Sequence, residues 1–487
     1  MPQQYKLIVL CVLSAFSSHV LSIETDEIRS NLSDQQSVAV TIYNNNLALI
    51  KDQRKVKLNN GLNNLALRDV SAQIRPETAL LRSLSHVGSF STLEQNFDFD
   101  LLTPQKLLEK YVSKNVSIVR VNPATGTEMT EQATVLSANN GVVMKIGNRI
   151  ETGQFFTNEK SGRIVYDNVP ANLRDRPTLV TKLNNKTTAE QTVELSYLTG
   201  GLGWKADYVA ELNAKEDRID LSGWVTLTNT SGTHYNNAKL QLVAGDVNRI
   251  QDNTPRAMAM RKNIGMVAEA SAPMTEESLL EYHLYTLDRP TTISDNQNKQ
   301  VALLSASNVP ARKELVLRGA DYYYGSSYGD LGQKMKVGVF LEFDNKEAVK
   351  LGIPLPKGTM RVYKKDNQGN AQFVGEDNID HTPKNEAVRL KLGNAFDVTA
   401  DKKQTDFKTL PRPAKGNSVF ESAYEIVLKN AKKEHVTITV QEPIPADWKI
   451  MKESHPSQKA TSNTAVWKVE IPAEGKTTLT YRVQVKY

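Results

Sequence analysis

Val38-Ala39-Val40-Thr41-Ile42-Tyr43, then Asn44-Asn45-Asn46, then Leu47-Ala48-Leu49-Ile50, is a stretch that alternates on either side of three asparagines. Period-two alternation marks a half-buried strand, and asparagine tolerates the backbone angles of a tight turn. The stretch predicts a β-hairpin. The same pattern continues through residues 54–58, 62–70 and 78–84, with Gly61 between the first two. An all-β chain is the expectation from here onward.

One helix interrupts it. Thr103 can cap, Pro104 suits the first helical position, and Leu107, Leu108, Tyr111 and Val112 fall on one face. A short helix near 103–114 is predicted. Residues 116–121, 133–136, 142–146 and 163–166 then read as short, tightly spaced strands, suggesting a small β-barrel after the first sheet. From residue 187 the strands lengthen, through 192–198, 204–212, 221–229 and 240–247. Residues 251–274 lack alternation and read as a long loop. Recurring strand–turn spacing from residue 331 to the end suggests stacked immunoglobulin-like sandwiches. The expected organisation is a leader over 1–22, a β domain over 23–102 and the barrel-like domain over 103–186. A β-sandwich over 187–330 and a second sandwich region over 331–487 follow.

The leader reading rests on three features. Lys6 gives a thin positive start, and residues 7–16 are apolar apart from Ser14. Val20-Leu21-Ser22 then places modest side chains ahead of a cut before Ile23. This is signal-peptide architecture, too short for a bilayer span of roughly 20 residues. It predicts export, to the periplasm or beyond, with cleavage near Ser22. No later apolar run is long enough for a helix to anchor the mature chain in a membrane.

The single cysteine, Cys11, lies inside that leader. The mature chain therefore lacks the thiols needed for disulfides, thiolate zinc sites or cysteine nucleophiles. Leu10 precedes Cys11 where a lipoprotein signal wants a small residue, so ordinary cleavage is favoured over lipidation. At 487 residues the length allows about two to four domains. The formal charge of +6 is spread along the chain in short runs such as Lys402-Lys403 and Lys432-Lys433. A nucleic-acid binder concentrates its positive charge on one face. Nucleic acid is not an expected partner.

Few segments carry a chemical signal. Gly325-Ser326-Ser327-Tyr328-Gly329 matches the serine-hydrolase elbow, which needs a strand before it and a helix after it. Its neighbours, Tyr322-Tyr323-Tyr324 and Asp330-Leu331-Gly332, read instead as a flexible loop whose tyrosines offer a contact surface. Gly375-Glu376-Asp377-Asn378-Ile379-Asp380-His381 gathers three carboxylates and an imidazole. Such a density of oxygen ligands suits calcium, and two carboxylates suit acid and base work. The spacing is not that of an EF-hand, and a polar turn is the expected reading. Trp204 and Tyr208 share a strand face with Ala206, Ala210 and Leu212. Exposed, the pair would stack on the apolar face of a sugar ring; buried, it is core, which the alanines and leucine favour. Met258, Met260, Met266 and Met274 suit Cu(I), but their spacing is irregular and no histidine lies among them. Leu479, Tyr481, Val483, Val485 and Tyr487 alternate to an aromatic carboxyl terminus, as outer-membrane barrels do. The chain is too polar and its strands too short for such a barrel, and a final sandwich strand is expected. Zincin, Walker and dinucleotide motifs are missing. No cofactor, metal or catalytic residue is predicted.

Several segments together resemble a bacterial family. They are Val40-Thr41-Ile42-Tyr43-Asn44, Arg75-Pro76-Glu77-Thr78, Leu173-Arg174-Asp175-Arg176-Pro177, Gly203-Trp204-Lys205-Ala206-Asp207-Tyr208, Leu351-Gly352-Ile353-Pro354-Leu355-Pro356 and Gly375-Glu376-Asp377. The chain resembles exported proteins carrying domain of unknown function 4139, most strongly from about residue 190 to the end. A distant branch of that family is named for inhibiting mucoidy, which would imply a link to envelope polysaccharide. Those relatives carry a coiled coil ahead of the shared domain, and this chain has no heptad run. The resemblance implies a fold and a location but no catalytic residues.

Together these readings predict a non-enzymatic envelope protein binding a surface glycan or another envelope protein. The residues singled out for contact are Trp204, Tyr208, Tyr322, Tyr323, Tyr324, Glu376, Asp377, Asp380 and His381. A hydrolase of envelope polysaccharide, or a periplasmic assembly factor offering a free sheet edge, are the alternatives.

Overall fold

The computed structural model describes residues 27–44, 46–122, 124–139, 141–153, 162–170, 173–245, 247–248, 274–366, 368–411 and 418–487. The expected signal peptide and Met258, Met260 and Met266 lie outside the described residues. Among the described residues the chain is all-β apart from one α-helix and short 3-10 turns. It divides into two compact units. One holds residues up to Gln36, then Asp52–Ala72 and Pro76–Ser196; the other holds Ser37–Lys51, Gln73–Arg75 and Tyr197–Tyr487.

The first unit contains a four-stranded sheet in the order Glu27–Ser30, Gly61–Arg68, Thr178–Asn185, Phe90–Asp98. The first pair is parallel and the others antiparallel. A second sheet of five strands follows the order Arg149–Gly153, Val142–Ile146, Glu128–Ser137, Asn115–Val121, Arg163–Val165. Here the expected barrel gives way to an open sheet, since the two outer strands do not pair with each other. With so few short strands, a helix covers the apolar face that closure would have enclosed. That helix is Pro104–Lys110. The Thr103 hydroxyl accepts from the Lys106 backbone N–H at 3.1 Å, an N-cap worth about 1 kcal/mol. Leu108 and Tyr111 pack on Val116, Ile118, Val135 and Met144. Val112, expected on the same face, is exposed.

In the second unit the hairpin forms as the alternation predicts. Val38, Val40 and Ile42 point inward and their neighbours outward. Asn46 takes a left-handed φ of 50°, and its side chain accepts from the Gly201 N–H at 2.8 Å. Residues 39–43 pair in parallel with 239–243, where Leu240 and Leu242 are fully buried. The same unit holds a thirteen-stranded sheet system. Two long strands carry it, Gln297–Arg318 and Ala387–Leu410. The first pairs with Arg218–Asn229 through its leading part, then with Asp330–Asp344 and Val436–Pro443 through its end. Against the terminal strands lies a core that includes Leu317, Ile426, Ile438, Trp467, Leu479 and Val483.

Candidate functional site

Trp204 and Tyr208 lie in the strand Leu202–Leu212, 6 % and 0 % exposed. The Tyr208 hydroxyl donates to the Pro356 carbonyl at 2.8 Å. Gly223 lies against its ring: a Cβ there would come within 3.2 Å of two ring carbons. Burial pushes the Tyr208 phenol well above its ordinary pKa. The pair is core, as the alternation favours, and no sugar can stack on it, which corrects the contact role expected of Trp204 and Tyr208. Asp207 faces the other way, taking hydrogen bonds from Thr226 at 2.8 Å and Arg361 at 3.0 Å. Burial alone would raise its pKa, but these donors outweigh burial and hold it below the ordinary value.

The acidic segment is not the expected turn. It runs along the strand Ala371–Ile379, where Glu376 stands opposite Arg361 and Asp377 opposite Met360. Successive residues of a strand face opposite sides, so these carboxylates diverge. Glu376 pairs with Arg361 Nε at 3.1 Å. Asp377 instead accepts the backbone N–H groups of Lys391 at 2.8 Å and Asn378 at 2.9 Å. Asp380 is exposed, and its carbonyl accepts from the Thr382 hydroxyl at 2.9 Å. His381 Nδ1 accepts from the Lys357 N–H at 3.3 Å. Among the described residues no group of three or more His, Cys, Asp or Glu is placed to hold a metal ion. The sequence cluster disperses into four separate local contacts.

The tyrosine segment does assemble into a surface. Asp321–Tyr324 forms a 3-10 turn, which sends successive side chains in different directions. Tyr323 and Tyr324 turn inward, 5 % and 0 % exposed, which corrects their expected contact role. Tyr322 turns outward at 58 % exposure and meets Tyr328 edge-on with ring centroids 5.9 Å apart. No serine elbow forms at Gly325–Gly329, as expected from its neighbours, because the strand Asp330–Asp344 follows where a helix is needed.

Beside this pair runs a row of aromatic rings that sequence reading did not assemble. Phe407 stacks on Phe420 at 5.5 Å, and Phe420 meets Tyr487 at 5.7 Å. Register explains it, since the strands Ala387–Leu410, Val419–Asn430 and Lys476–Lys486 are adjacent and place these positions side by side. The Tyr487 hydroxyl stands 3.8 Å from where a Cβ of Gly325 would lie, bringing the row up to the tyrosine turn. Tyr328 and Tyr487 are each more than a third exposed. Alternation at the carboxyl terminus and the Tyr-rich turn were visible signals; the strand register that joins them was not.

Buried polar groups hold this surface still. Gln404 accepts from the Tyr328 N–H at 2.6 Å and donates to the Ser326 carbonyl at 3.1 Å. The Tyr424 hydroxyl donates to the Tyr323 carbonyl at 2.6 Å. Burial pushes both the Tyr323 and the Tyr424 phenols up to about 12. Beneath them the Tyr324 hydroxyl donates to Glu442 at 2.8 Å. A turn clamped at this many backbone groups presents its exposed rings with little backbone left to order on binding.

The family model described as Domain of unknown function (DUF4139) matches residues 193–487. That span contains every ring of the aromatic surface. No curated protein matches the chain.

Proposed function

We propose that this chain, which belongs to the family of the domain of unknown function DUF4139, is an exported envelope protein that binds a surface glycan without cleaving it. The observation that carries the reading is the aromatic row from Tyr322 and Tyr328 to Tyr487, Phe420 and Phe407, set on a clamped turn. Sugar rings offer apolar C–H faces, and tyrosines combine a flat apolar body with a hydroxyl that reaches the sugar's own. Adjacent rings along one row suit an extended polymer better than a single sugar. Binding without turnover fits the dispersed carboxylates, since hydrolysis needs two of them facing one bond. Export rests on the leader-like features of Lys6, residues 7–16 and Val20-Leu21-Ser22.

Two measurements test this. The Tyr322→Ala, Tyr328→Ala double variant should keep its melting temperature and bind extracted surface polysaccharide about five- to 150-fold more weakly, at about 0.5–1.5 kcal/mol per ring. Unchanged binding would remove the aromatic row from the account. Protein recovered from the envelope fraction should begin at Ile23; an intact amino terminus in the cytoplasm would end the export reading.

A further inference from the structure

Lys402 Nζ lies 2.6 Å from Glu442 Oε2, and both side chains are 0 % exposed. The same Oε2 accepts from the Tyr324 hydroxyl at 2.8 Å. Tyr324 Oη stands 2.9 Å from Tyr481 Oη, and Lys402 Nζ donates to Tyr481 Oη at 3.3 Å. The four groups close a ring: Nζ, Tyr481 Oη, Tyr324 Oη and Oε2. Glu442 Oε1 has no hydrogen-bond partner. Tyrosine rings line the ammonium, with the centroids of Tyr323 and Tyr424 at 4.3 and 5.0 Å from Nζ.

As an ion pair this arrangement is costly. Each buried charge loses several kcal/mol of hydration, and the attraction between them repays it only where every oxygen is satisfied. Here one oxygen is not. Lys403, the next residue, pairs with Glu425 at 2.8 Å in a solvent-exposed position where that cost is small. The buried pair is also an amine and a carboxyl group held in contact, with water excluded. Fixed groups of this kind react as if at effective molarities of about 10⁵–10⁸ M.

We propose that Lys402 and Glu442 condense into an intramolecular isopeptide bond that joins the strand Ala387–Leu410 to the strand Val436–Pro443. One ammonium proton passes directly to Oε2. The freed nitrogen lone pair forms the bond to Glu442 Cδ. A second Nζ proton moves to Tyr481 while Tyr481 protonates Tyr324 and Tyr324 protonates Oε2. The Cδ–Oε2 bond breaks with its electron pair on oxygen, which leaves as water. Oε1 stays as the amide oxygen and Nζ keeps one hydrogen. One positive and one negative charge cancel, one water is released, and no oxidant or activated donor is needed. Gly319 packs against the carboxylate so closely that a Cβ would collide with it. The same glycine lines a cavity of about 410 Å³ with Arg318, Ala320, Asp321 and Pro443, which offers the water an exit.

Intact-mass measurement on the natively purified full chain, followed by peptide mapping, tests the bond. The expected mass is one water below that calculated for whichever amino terminus is found. The map should contain one branched peptide carrying both Lys402 and Glu442, absent from Lys402→Met. Tyr481→Phe keeps the ring packing and removes the relay, and should leave most of the protein uncondensed at a time when the parent has reacted fully. An unreduced mass, with trypsin cutting normally after Lys402 in the parent protein, would overturn the proposal even if the variants fail to fold.

Discussion

Asp207 shows how one residue's surroundings become a measurable property. Thr226 and Arg361 donate to its carboxylate, and its pKa lies below the ordinary value of 3.8. A carboxyl group whose pKa is depressed by folding adds stability that is complete above the unfolded value and is lost as pH falls through the folded one. Asp207→Asn should therefore cost about 1.5–3 kcal/mol at neutral pH, the range for hydrogen bonds to a charged group. Urea denaturation should show that gap shrinking below pH 3.8 and closing at lower pH; a gap constant with pH would mean the charge is irrelevant. Residue-scale reading of the sequence succeeded where one strand face settled the matter. Trp204 and Tyr208 alternate with alanine and leucine, and they are core and not the contact residues also expected of them. It failed where neighbours in sequence face apart, as Glu376 and Asp377 do along their strand.

Strand positions were legible wherever alternation was unbroken, and less so where a strand bends. The residues on either side of Asn308-Val309-Pro310 are separated by a break in the alternation. They form one strand, Gln297–Arg318, in which Asn308 absorbs the irregularity with a φ of 63°. Gly393, with a φ of 146°, does the same inside Ala387–Leu410. Such bends let one strand serve two sets of partners, which a period-two pattern cannot announce. Close packing between neighbouring strands is equally hidden. A Cβ at Gly223 would stand 2.8 Å from Leu304 Cγ and 3.2 Å from the Tyr208 ring. Gly223→Ala should destabilise the protein by about 1–3 kcal/mol, the usual cost of an overpacked core. A variant with an unchanged melting temperature would show that Tyr208 can shift aside.

For the whole molecule, the all-β class followed from alternation and its family from scattered short motifs, while the candidate surface depended on contacts across the sequence. Tyr322, Gln404, Phe420 and Tyr487 come from four separate segments, and only strand register makes them neighbours. That surface sets aromatic rings on a clamped turn while the acidic residues are engaged elsewhere, an arrangement that suits the proposed recognition of a glycan. The most direct test is co-sedimentation of the purified protein with peptidoglycan, outer-membrane fragments and extracted surface polysaccharide, with soluble fragments assayed alongside. Saturable retention on a glycan fraction, with no fragments released over time, is the predicted result. Time-dependent release of fragments, or no retention on any glycan fraction, would contradict it.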